Sequence, residues 1–346
     1  MKVLVTGATG TIGANVVKRL VESRYEVRAQ VRPGSRQLPK IQGLPVEIRP
    51  ADLLDREALG ALVEGVDAVV HLAAMVPKAG ADTFGYVDVN IAATAVLLEA
   101  ARRASSRLTR FVYASSTVLF PQEGFRTDLF VESDKKTRPV GMYAVSKLAG
   151  EILTHSFSRG HGLPTVILNV PETFCGRELL GERLRSVSPF TADHVVALEA
   201  LPPTGERDSC LDALRRHERE GRKLLIALTP EGRPWRRHLG DVRDVVTACI
   251  LALHEPKAVG ESFVVMSDAL DYGVGVPYLA ELTGMRYAQE IVPFGNCYWY
   301  DMRKTQELLG YRSAYDSRRM LEDAWRHARG EDIGIIDGTD YPRIER

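Results

Sequence analysis

The chain has 346 residues, of which 26% are charged and 45% hydrophobic, and its 45 basic residues balance its 45 acidic ones. This composition argues against a disordered, collagen-like or coiled-coil chain, and the zero net charge removes the usual electrostatic case for binding nucleic acid or an anionic membrane. The amino-terminus lacks a signal-peptide pattern, no long uncharged apolar stretch predicts a spanning helix, and four widely spaced cysteines indicate free thiols in a reducing, cytoplasmic compartment rather than a metal site.

Short apolar runs and helical patterns alternate from the amino-terminus to about residue 170. Unbroken apolar character is typical of strands that are buried on both faces of a parallel sheet. The alternation therefore predicts an α/β fold with a doubly wound parallel sheet and helices on both faces. The predicted strands are 2–6, 26–31, 46–48, 68–72, 111–114 and 165–168, and the predicted helices are 12–20, 55–64, 86–104 and 141–159.

The strand–helix rhythm ends near Cys175. Residues 176–220 are polar and helical in pattern, and a strand at 224–228 and a helix starting near Asp241 follow. This change predicts a boundary after a first domain of residues 1–175 and a smaller second lobe over 176–330. We expect residues 236–265, approximately, to return to the core, and residues 331–346 to form a tail.

The strongest single motif is the glycine-rich turn TGATGTIG, residues 6–13. One glycine permits a sharp strand-to-helix turn, one lets the backbone approach a pyrophosphate, and one lets the helix pack closely on the sheet. The turn directly follows an apolar run and opens an amphipathic helix, whose amino-terminal amides favour a phosphate. The sequence therefore predicts dinucleotide binding, with contacts from Gly7, Thr9, Gly10, Thr11, Ile12 and Gly13.

Further motifs follow this turn in order, and together they resemble the extended short-chain dehydrogenase/reductases, the NAD(P)-dependent epimerase/dehydratase family. The similarity extends from residue 1 to about residue 328. It implies a Rossmann-like doubly wound sheet with a smaller C-terminal substrate lobe, an NAD(P) cofactor, and a homodimer in which helices 86–104 and 141–159 pair across a two-fold axis. The motifs are Asp52-Leu53, His71–Ala74, Asn90, Tyr113–Ser116, Tyr143–Lys147, Arg236–Val245 and Lys304 with Leu309–Tyr311.

The resemblance also implies further cofactor contacts. Asp52 is expected to serve the adenine amino group, and His71 is expected to lie at a strand end beside the cofactor rather than to act as a base. Asn90 could hold a water or a backbone carbonyl, or could only support packing. The additional cofactor-binding residues are Asp52, Leu53, Leu72, Ala73, Ala74, Asn90, Ser115, Tyr143 and Lys147.

Tyr143 and Lys147 form the predicted proton-transfer pair. Their i,i+4 spacing on a predicted helix places them on one face. A phenol is a poor base at neutral pH, but a nearby ammonium and a positive nicotinamide ring favour its ionised form. Ser116, at the end of a strand, can hydrogen-bond the same substrate oxygen, with Ser115 or Thr117 as neighbours. The family pattern Ser-Ser-x-x-Val-Tyr-Gly ends here in Leu119-Phe120-Pro121 instead.

The end of the second predicted strand bears on the choice between NAD and NADP. An acidic residue there would accept hydrogen bonds from a ribose 2′-hydroxyl and repel a 2′-phosphate. The segment Ala29–Arg36 has no carboxylate, and Arg32 and Arg36 could clamp a phosphate. The sequence modestly favours NADP, although NAD remains possible if both arginines point to solvent.

Three functions remain open at this point. The first is an epimerase or dehydratase that acts on a nucleotide-linked sugar by transient hydride transfer. Its predicted substrate residues are Ser116, Thr117, Glu172, Arg236 and Arg237. The second is an NADPH-dependent carbonyl reductase resembling the dihydroflavonol-reductase branch. The third is a non-catalytic regulator that senses the dinucleotide, for which the intact Ser/Tyr/Lys set would serve no purpose.

Glu172 bears on the choice between the first two functions. Nucleotide-sugar members of the family often place a phosphate-binding asparagine at the position that aligns with Glu172, and a carboxylate there would repel a diphosphate. A shift of the alignment by a few residues would bring Asn169 to that position instead.

Overall fold

The computed structural model describes residues 1–77, 82–104, 108–121, 125–130, 134–136, 138–180, 189–295 and 297–338, with the backbone alone for 125–130. Part of the polar stretch, residues 181–188, and the end of the predicted tail, residues 339–346, lie outside the described residues. The strands are β1 Lys2–Thr6, β2 Glu26–Val31, β3 Glu47–Pro50, β4 Ala68–His71, β5 Arg110–Ser116, β6 Phe125–Phe130, β7 Thr165–Val170, β8 Thr173–Phe174, β9 Arg222–Leu228, β10 Arg236–Asp241, β11 Ser262–Val264, β12 Asp268–Asp271, β13 Arg286–Ile291 and β14 Cys297–Tyr300.

The helices lie between these strands, and most of them flank the sheets. A π-helical stretch, Val87–Ala92, joins α4 to α5, and short 3₁₀ turns occur at Thr117–Leu119, Gly176–Leu180 and Pro256–Ala258. The α-helices are α1 Thr11–Glu22, α2 Pro39–Gln42, α3 Arg56–Ala61, α4 Thr83–Tyr86, α5 Ala93–Arg103, α6 Met142–His161, α7 Thr191–Glu199, α8 Gly205–Arg219, α9 Val242–His254, α10 Tyr272–Thr283, α11 Arg303–Leu308 and α12 Ser317–Ala328.

The main sheet of the described residues has seven strands in the order β11-β7-β5-β4-β1-β2-β3. All of its neighbouring strands run parallel. Strand order reverses at β1, because the chain passes from β1 to β2 and β3 on one side and then to β4 and β5 on the other. Ligands of open α/β sheets bind at the carboxyl ends of the strands beside such a reversal.

Both faces of the main sheet are buried. Val3 and Val5 of β1 lie in a core with α1 and α9, whereas Leu4 lies in a second core with Leu97 and Leu98 of α5. Side chains alternate between the faces of a strand, so a strand covered by helices on both sides must be apolar throughout. The predicted doubly wound parallel sheet is confirmed.

A separate apolar core lies in the C-terminal half. It contains residues of α7, α8, α10 and α12 and of β9, which pairs with β13. A further sheet contains β12, β10, β14 and β6, with β8 also paired to β10. Two elements of the C-terminal half pack with the main sheet instead. Helix α9 lies in the core with α1, and β11 extends the sheet by pairing with β7.

The described part of the predicted tail packs against α1 and α2. The Asn15 side chain donates to the Ile336 carbonyl at 2.8 Å and accepts from the Ile336 amide at 2.8 Å. Lys40 donates to the Asp337 carbonyl at 2.7 Å. Ile336 is therefore held on α1, the helix that follows the glycine-rich turn, and Asp337 is held on α2.

One helical stretch of the described residues, Thr83–Arg103, is long and apolar enough to cross a membrane by length and composition. Core helices of water-soluble folds pass the same test, and Leu97, Leu98 and Ala101 of this stretch are fully buried against the main sheet. The apolar character of the stretch is accounted for by that packing.

Candidate active site

A cavity of about 890 Å³ lies at the carboxyl edge of the main sheet, beside the reversal of strand order. Its size suits a large organic ligand. It extends from the glycine-rich turn to Arg237 and Tyr298 of the second sheet. The predicted site residues that line it are Gly7, Thr9, Gly10, Thr11, Ile12, Gly13, Arg32, Asp52, Leu53, Leu72, Ala73, Ala74, Ser115, Ser116, Thr117, Tyr143, Lys147, Glu172 and Arg237.

The glycine-rich turn requires glycine at two positions for different reasons. Gly7 has a φ of +66°, a left-handed conformation in which a side chain is strained, and a Cβ there would meet the Ala73 amide nitrogen at 2.8 Å. A Cβ on Gly13 would lie 2.0 Å from the Gly7 carbonyl oxygen. The backbone of α1 therefore approaches the turn more closely than any side chain permits.

Gln30, on β2, holds this turn in place. Its side-chain oxygen accepts from the Gly7 amide at 2.9 Å, and its side-chain nitrogen donates to the Ala51 carbonyl at 2.7 Å. Gln30 lines the cavity but is absent from the sequence prediction. Gln30 alternates with Val27, Ala29 and Val31 in a strand that also contains Glu26 and Arg28, so no signal in the sequence singled it out.

His71 lies behind the cavity wall and is 1% exposed. Its ring contacts Thr6 Oγ1 at 2.7 Å and Thr94 Oγ1 at 3.0 Å, and Thr94 donates to the Asn90 carbonyl. The hydrogen bonds are mutually satisfied if Nε2 carries the ring hydrogen. Burial, with added repulsion from Lys147, lowers the pKa of His71 to about 3, so the ring stays neutral and joins β1 to β4.

Asn90 does not line the cavity, in contrast to the predicted cofactor contact. Its amide accepts from the Met75 N–H at 2.7 Å and donates to the Met75 carbonyl at 3.0 Å and to Ser146 Oγ at 2.9 Å. Ser146 in turn donates to the Tyr143 carbonyl at 2.8 Å. Asn90 thus fixes the cavity-lining segment at Met75 and the start of α6 from behind.

Tyr143, Lys147 and Ser116 meet at one wall of the cavity. The Lys147 ammonium lies 5.9 Å from the centroid of the Tyr143 ring and donates to the Ala114 carbonyl at 2.8 Å. Among the described residues that is the single hydrogen bond of the ammonium, so two of its hydrogens are available to a ligand. Ser116 caps the following 3₁₀ turn, since its Oγ accepts from the Val118 amide at 3.2 Å.

The charge of Lys147 is finely balanced. The residue is 4% exposed. Burial lowers the pKa of its ammonium to about 8, and the carboxylate of Glu151 opposes that effect. Near neutral pH the ammonium is therefore charged but close to the point of losing its proton.

Glu172, Arg237 and Tyr298 form the opposite end of the cavity. Arg237 Nη2 donates to the Tyr298 hydroxyl at 3.0 Å and lies 3.5 Å from a Glu172 carboxylate oxygen. The attraction of Tyr298 and Glu172 outweighs burial and raises the pKa of Arg237, which stays charged. Tyr298 follows Arg237 by so many residues that no local pattern could have predicted the contact.

Besides Asn90, two predicted residues lie away from the cavity. Arg236 stacks 5.3 Å from the Trp299 ring centroid, on the other side of β10 from Arg237. Adjacent residues of a strand point to opposite faces, so both arginines could not have faced the site. Arg36 is exposed and does not line the cavity, whereas Arg32, Ser35 and Gln37 do.

The residues present fit a dinucleotide. Gly10 precedes the first turn of α1 and has no side chain that could accept a hydrogen bond from the amides of that turn. These amides can therefore meet a pyrophosphate. Ser115 lines the cavity, is buried, and its hydroxyl has no hydrogen-bond partner within the part of the chain that the structure describes. Over the same residues, no group of three or more metal-binding side chains lies close enough together to hold an ion.

Comparison with known proteins agrees with this geometry. The sequence profile of the NAD dependent epimerase/dehydratase family matches residues 3–265. A solved short-chain dehydrogenase/reductase superfamily protein from Agrobacterium tumefaciens, with bound NAD, matches with a TM-score of 0.80 and 30% identity over 95% of this chain and 98% of that chain.

Two curated relatives have narrower alignments. Sterol demethylase protein B of Methylococcus capsulatus is 41% identical over 116 residues, which cover 34% of this chain and 34% of that protein. The chain therefore spans about a third of the length of this relative. The dTDP-glucose 4,6-dehydratase 1 of Escherichia coli is 29% identical over 258 residues, which cover 67% of this chain and 70% of that enzyme.

Proposed function

Because the chain belongs to the NAD-dependent epimerase/dehydratase family, we propose that it converts a nucleotide-linked sugar by transient hydride transfer at a site formed by Ser116, Tyr143 and Lys147. The observation that carries this proposal is the buried Lys147 ammonium, 5.9 Å from the Tyr143 ring centroid in the wall of a dinucleotide-sized cavity. Burying a charge is costly, so a buried ammonium whose pKa is shifted, beside a phenol in a cavity wall, is typical of a catalytic site.

The proposed mechanism assigns one task to each residue. The Tyr143 phenolate accepts the proton of a sugar hydroxyl as that carbon is oxidised, and returns it when the carbon is reduced. The Lys147 ammonium stabilises the phenolate, and Ser116 donates a hydrogen bond to the same sugar oxygen. The hydride acceptor and donor would be supplied by NAD(P) when it is bound. Gly7, Gly10 and Gly13 would hold its pyrophosphate, and Asp52 its adenine.

The far end of the cavity would receive the rest of the substrate. Arg237 and Tyr298 offer a guanidinium and a hydroxyl to a diphosphate, and one relative is named for a dTDP-linked sugar. We place this recognition in a substrate lobe over residues 176–330, with residues 236–265 returning to the main core.

A second candidate function is net reduction of an uncharged carbonyl compound with NADPH. The observation that favours it is the Glu172 carboxylate, which lies 3.5 Å from Arg237. This carboxylate already neutralises the positive charge of Arg237 that a diphosphate would need. Two incubations of the purified protein distinguish these functions: one with NAD or NADP and dTDP-glucose or UDP-glucose, and one with NADPH and a neutral carbonyl compound. An altered sugar with constant absorbance at 340 nm supports the first function, whereas net consumption of NADPH with a neutral carbonyl supports the second and contradicts the first.

We propose that NADP is modestly preferred over NAD, with Arg32 holding the 2′-phosphate. Arg32→Ala is expected to weaken NADPH binding about tenfold or more and to leave NADH binding nearly unchanged, since it removes one charge-assisted contact. Fluorescence titration with both cofactors measures this. Arg36→Ala is the matched control, because Arg36 does not line the cavity. Equal losses for both cofactors in Arg32→Ala would contradict the assignment.

We also propose a homodimer through the outer faces of α5 and α6. On α6, Ile152 is 60% exposed and Val145 is 36% exposed, on a helix whose other face is buried. Light scattering at micromolar concentration is expected to give twice the mass of one chain, and Ile152→Lys to give one. A monomeric wild-type protein would remove this proposal.

The four cysteines, all free thiols, suit a cytoplasmic location.

A further inference from the structure

A buried carboxylate, Glu151, lies one helical turn beyond Lys147 on α6. We propose that Glu151 is a positioning residue: fixed by Asn169 and Lys135, it supplies the negative charge that keeps the buried Lys147 ammonium protonated. This inference rests on the proposed function, because it matters for catalysis only if Lys147 serves Tyr143. It extends the proton-transfer set into the interior, away from cofactor and substrate.

Two contacts fix the Glu151 carboxylate. Asn169, which is fully buried at the end of β7, donates its amide hydrogen to Oε1 at 2.5 Å. Lys135 reaches the same carboxylate from the surface side, with its ammonium 3.1 Å from Oε1 and 2.9 Å from Oε2. Residues four apart on a helix lie on the same face, so Glu151 and Lys147 both belong to the buried face of α6.

Lys147 needs such a counter-charge. Its single hydrogen bond within the described residues goes to a neutral carbonyl, that of Ala114, and the residue is 4% exposed. An ammonium removed from water loses its hydration, and its charged form is disfavoured unless an opposite charge compensates for that loss. Burial lowers the pKa of Lys147 to about 8, and Glu151 is the group that raises it again. Without Glu151 a smaller fraction of the lysine would be charged at neutral pH.

The other titratable groups of this cluster do not supply the charge. Burial lowers the pKa of His71 on β4 and of His155 on α6, which disfavours their charged forms. Burial also raises the pKa of Tyr113 on β5, which therefore stays a neutral phenol. Besides Tyr143 itself, the charge that acts on Lys147 is thus that of Glu151, which is in turn paired with Lys135.

The ionisation of Lys147 tests this directly and independently of turnover. In full-length protein labelled with ¹³C at the lysine ε-carbon, the Lys147 signal is the one missing from the Lys147→Met variant. In the wild-type protein the titration midpoint of Lys147 is expected near pH 8. In Glu151→Gln it is expected about one pH unit lower. At pH 7.5 that shift reduces the charged fraction about threefold.

Two further variants test the direction in which the Lys147 midpoint shifts and provide a control. Lys135→Met removes a positive charge behind Glu151, so the Lys147 midpoint is expected to rise. Glu99→Gln removes a surface carboxylate of α5 that is paired with Arg102 and Arg103, and is expected to change nothing. A purely structural role for Glu151 would lower thermal stability without moving the midpoint.

The outcomes separate this inference from the proposed function. A folded Glu151→Gln protein whose Lys147 midpoint equals that of wild type overturns the inference. If Glu151→Gln does not fold, a Lys135→Met protein with an unchanged or lowered midpoint overturns it instead. Full activity in Tyr143→Phe would refute the proposed function, whatever the Lys147 titration shows.

Discussion

Replacing Tyr143 with phenylalanine is expected to reduce turnover by about 10²- to 10⁴-fold, the range that one general acid–base group contributes. The change removes a single oxygen atom, so the ring can keep its packing against Tyr86, whose centroid is 6.3 Å away. The dissociation constant for NAD, measured by calorimetry, is expected to change only a few-fold. Turnover is followed by chromatography of the sugar product.

The matched control for this variant is Tyr287→Phe, which makes the same change at a residue 41% exposed on β13. It is expected to retain full activity. Turnover of Tyr143→Phe within tenfold of wild type would mean that another group moves the proton. Full biological effect without measurable turnover would favour the regulator over the enzyme.

Replacing Gly13 with alanine is expected to abolish detectable dinucleotide binding, with the dissociation constant for NAD raised about 100-fold or more. The added methyl group would lie 2.0 Å from the Gly7 carbonyl oxygen, which is backbone and cannot rotate away. The turn or the start of α1 must therefore move, and either shift displaces the amides that face the cavity. Overpacking of this kind also costs about 1–3 kcal/mol of stability, which thermal denaturation would detect.

Gly60→Ala makes the same chemical change without the same contact. Gly60 lies in α3, and no atom lies within 4 Å of the position its Cβ would occupy. Alanine is favoured over glycine in a helix by about 1 kcal/mol, so this variant is expected to be slightly more stable and to bind NAD normally. Normal NAD affinity in Gly13→Ala would show that the turn does not hold the cofactor.

The main sheet was predictable because its strands carry their signal locally. The strand predicted at 2–6 has the bounds that the structure shows, because its interior residues Val3, Leu4 and Val5 are apolar and buried on both faces of the sheet. The helix predicted at 86–104 was less simple. Nothing in its Ala- and Leu-rich sequence distinguishes a π-helical stretch at Val87–Ala92 from ordinary helix. The stretch contains Asn90, whose contacts to Met75 and Ser146 come from other parts of the chain.

The sequence also predicted that the residues at the glycine-rich end of the cavity lie together, because they follow directly from strand ends; their role in cofactor binding stays a prediction. The pairing at the opposite end of the cavity was not predicted. Arg237 meets Tyr298 across two strands that are far apart in sequence, and the period of two along β10 decides that Arg237 rather than Arg236 faces inward. Such pairings depend on tertiary structure, which a pattern of a few residues does not encode.

The position of β11 has a consequence for how the chain is made. This strand, Ser262–Val264, completes one edge of the main sheet by pairing with β7, Thr165–Val170. On the ribosome, the edge of β7 stays uncovered while nearly a hundred further residues are synthesised, and an uncovered strand edge is a template for aggregation. Nascent chains that stop before residue 262 should therefore depend most on chaperones.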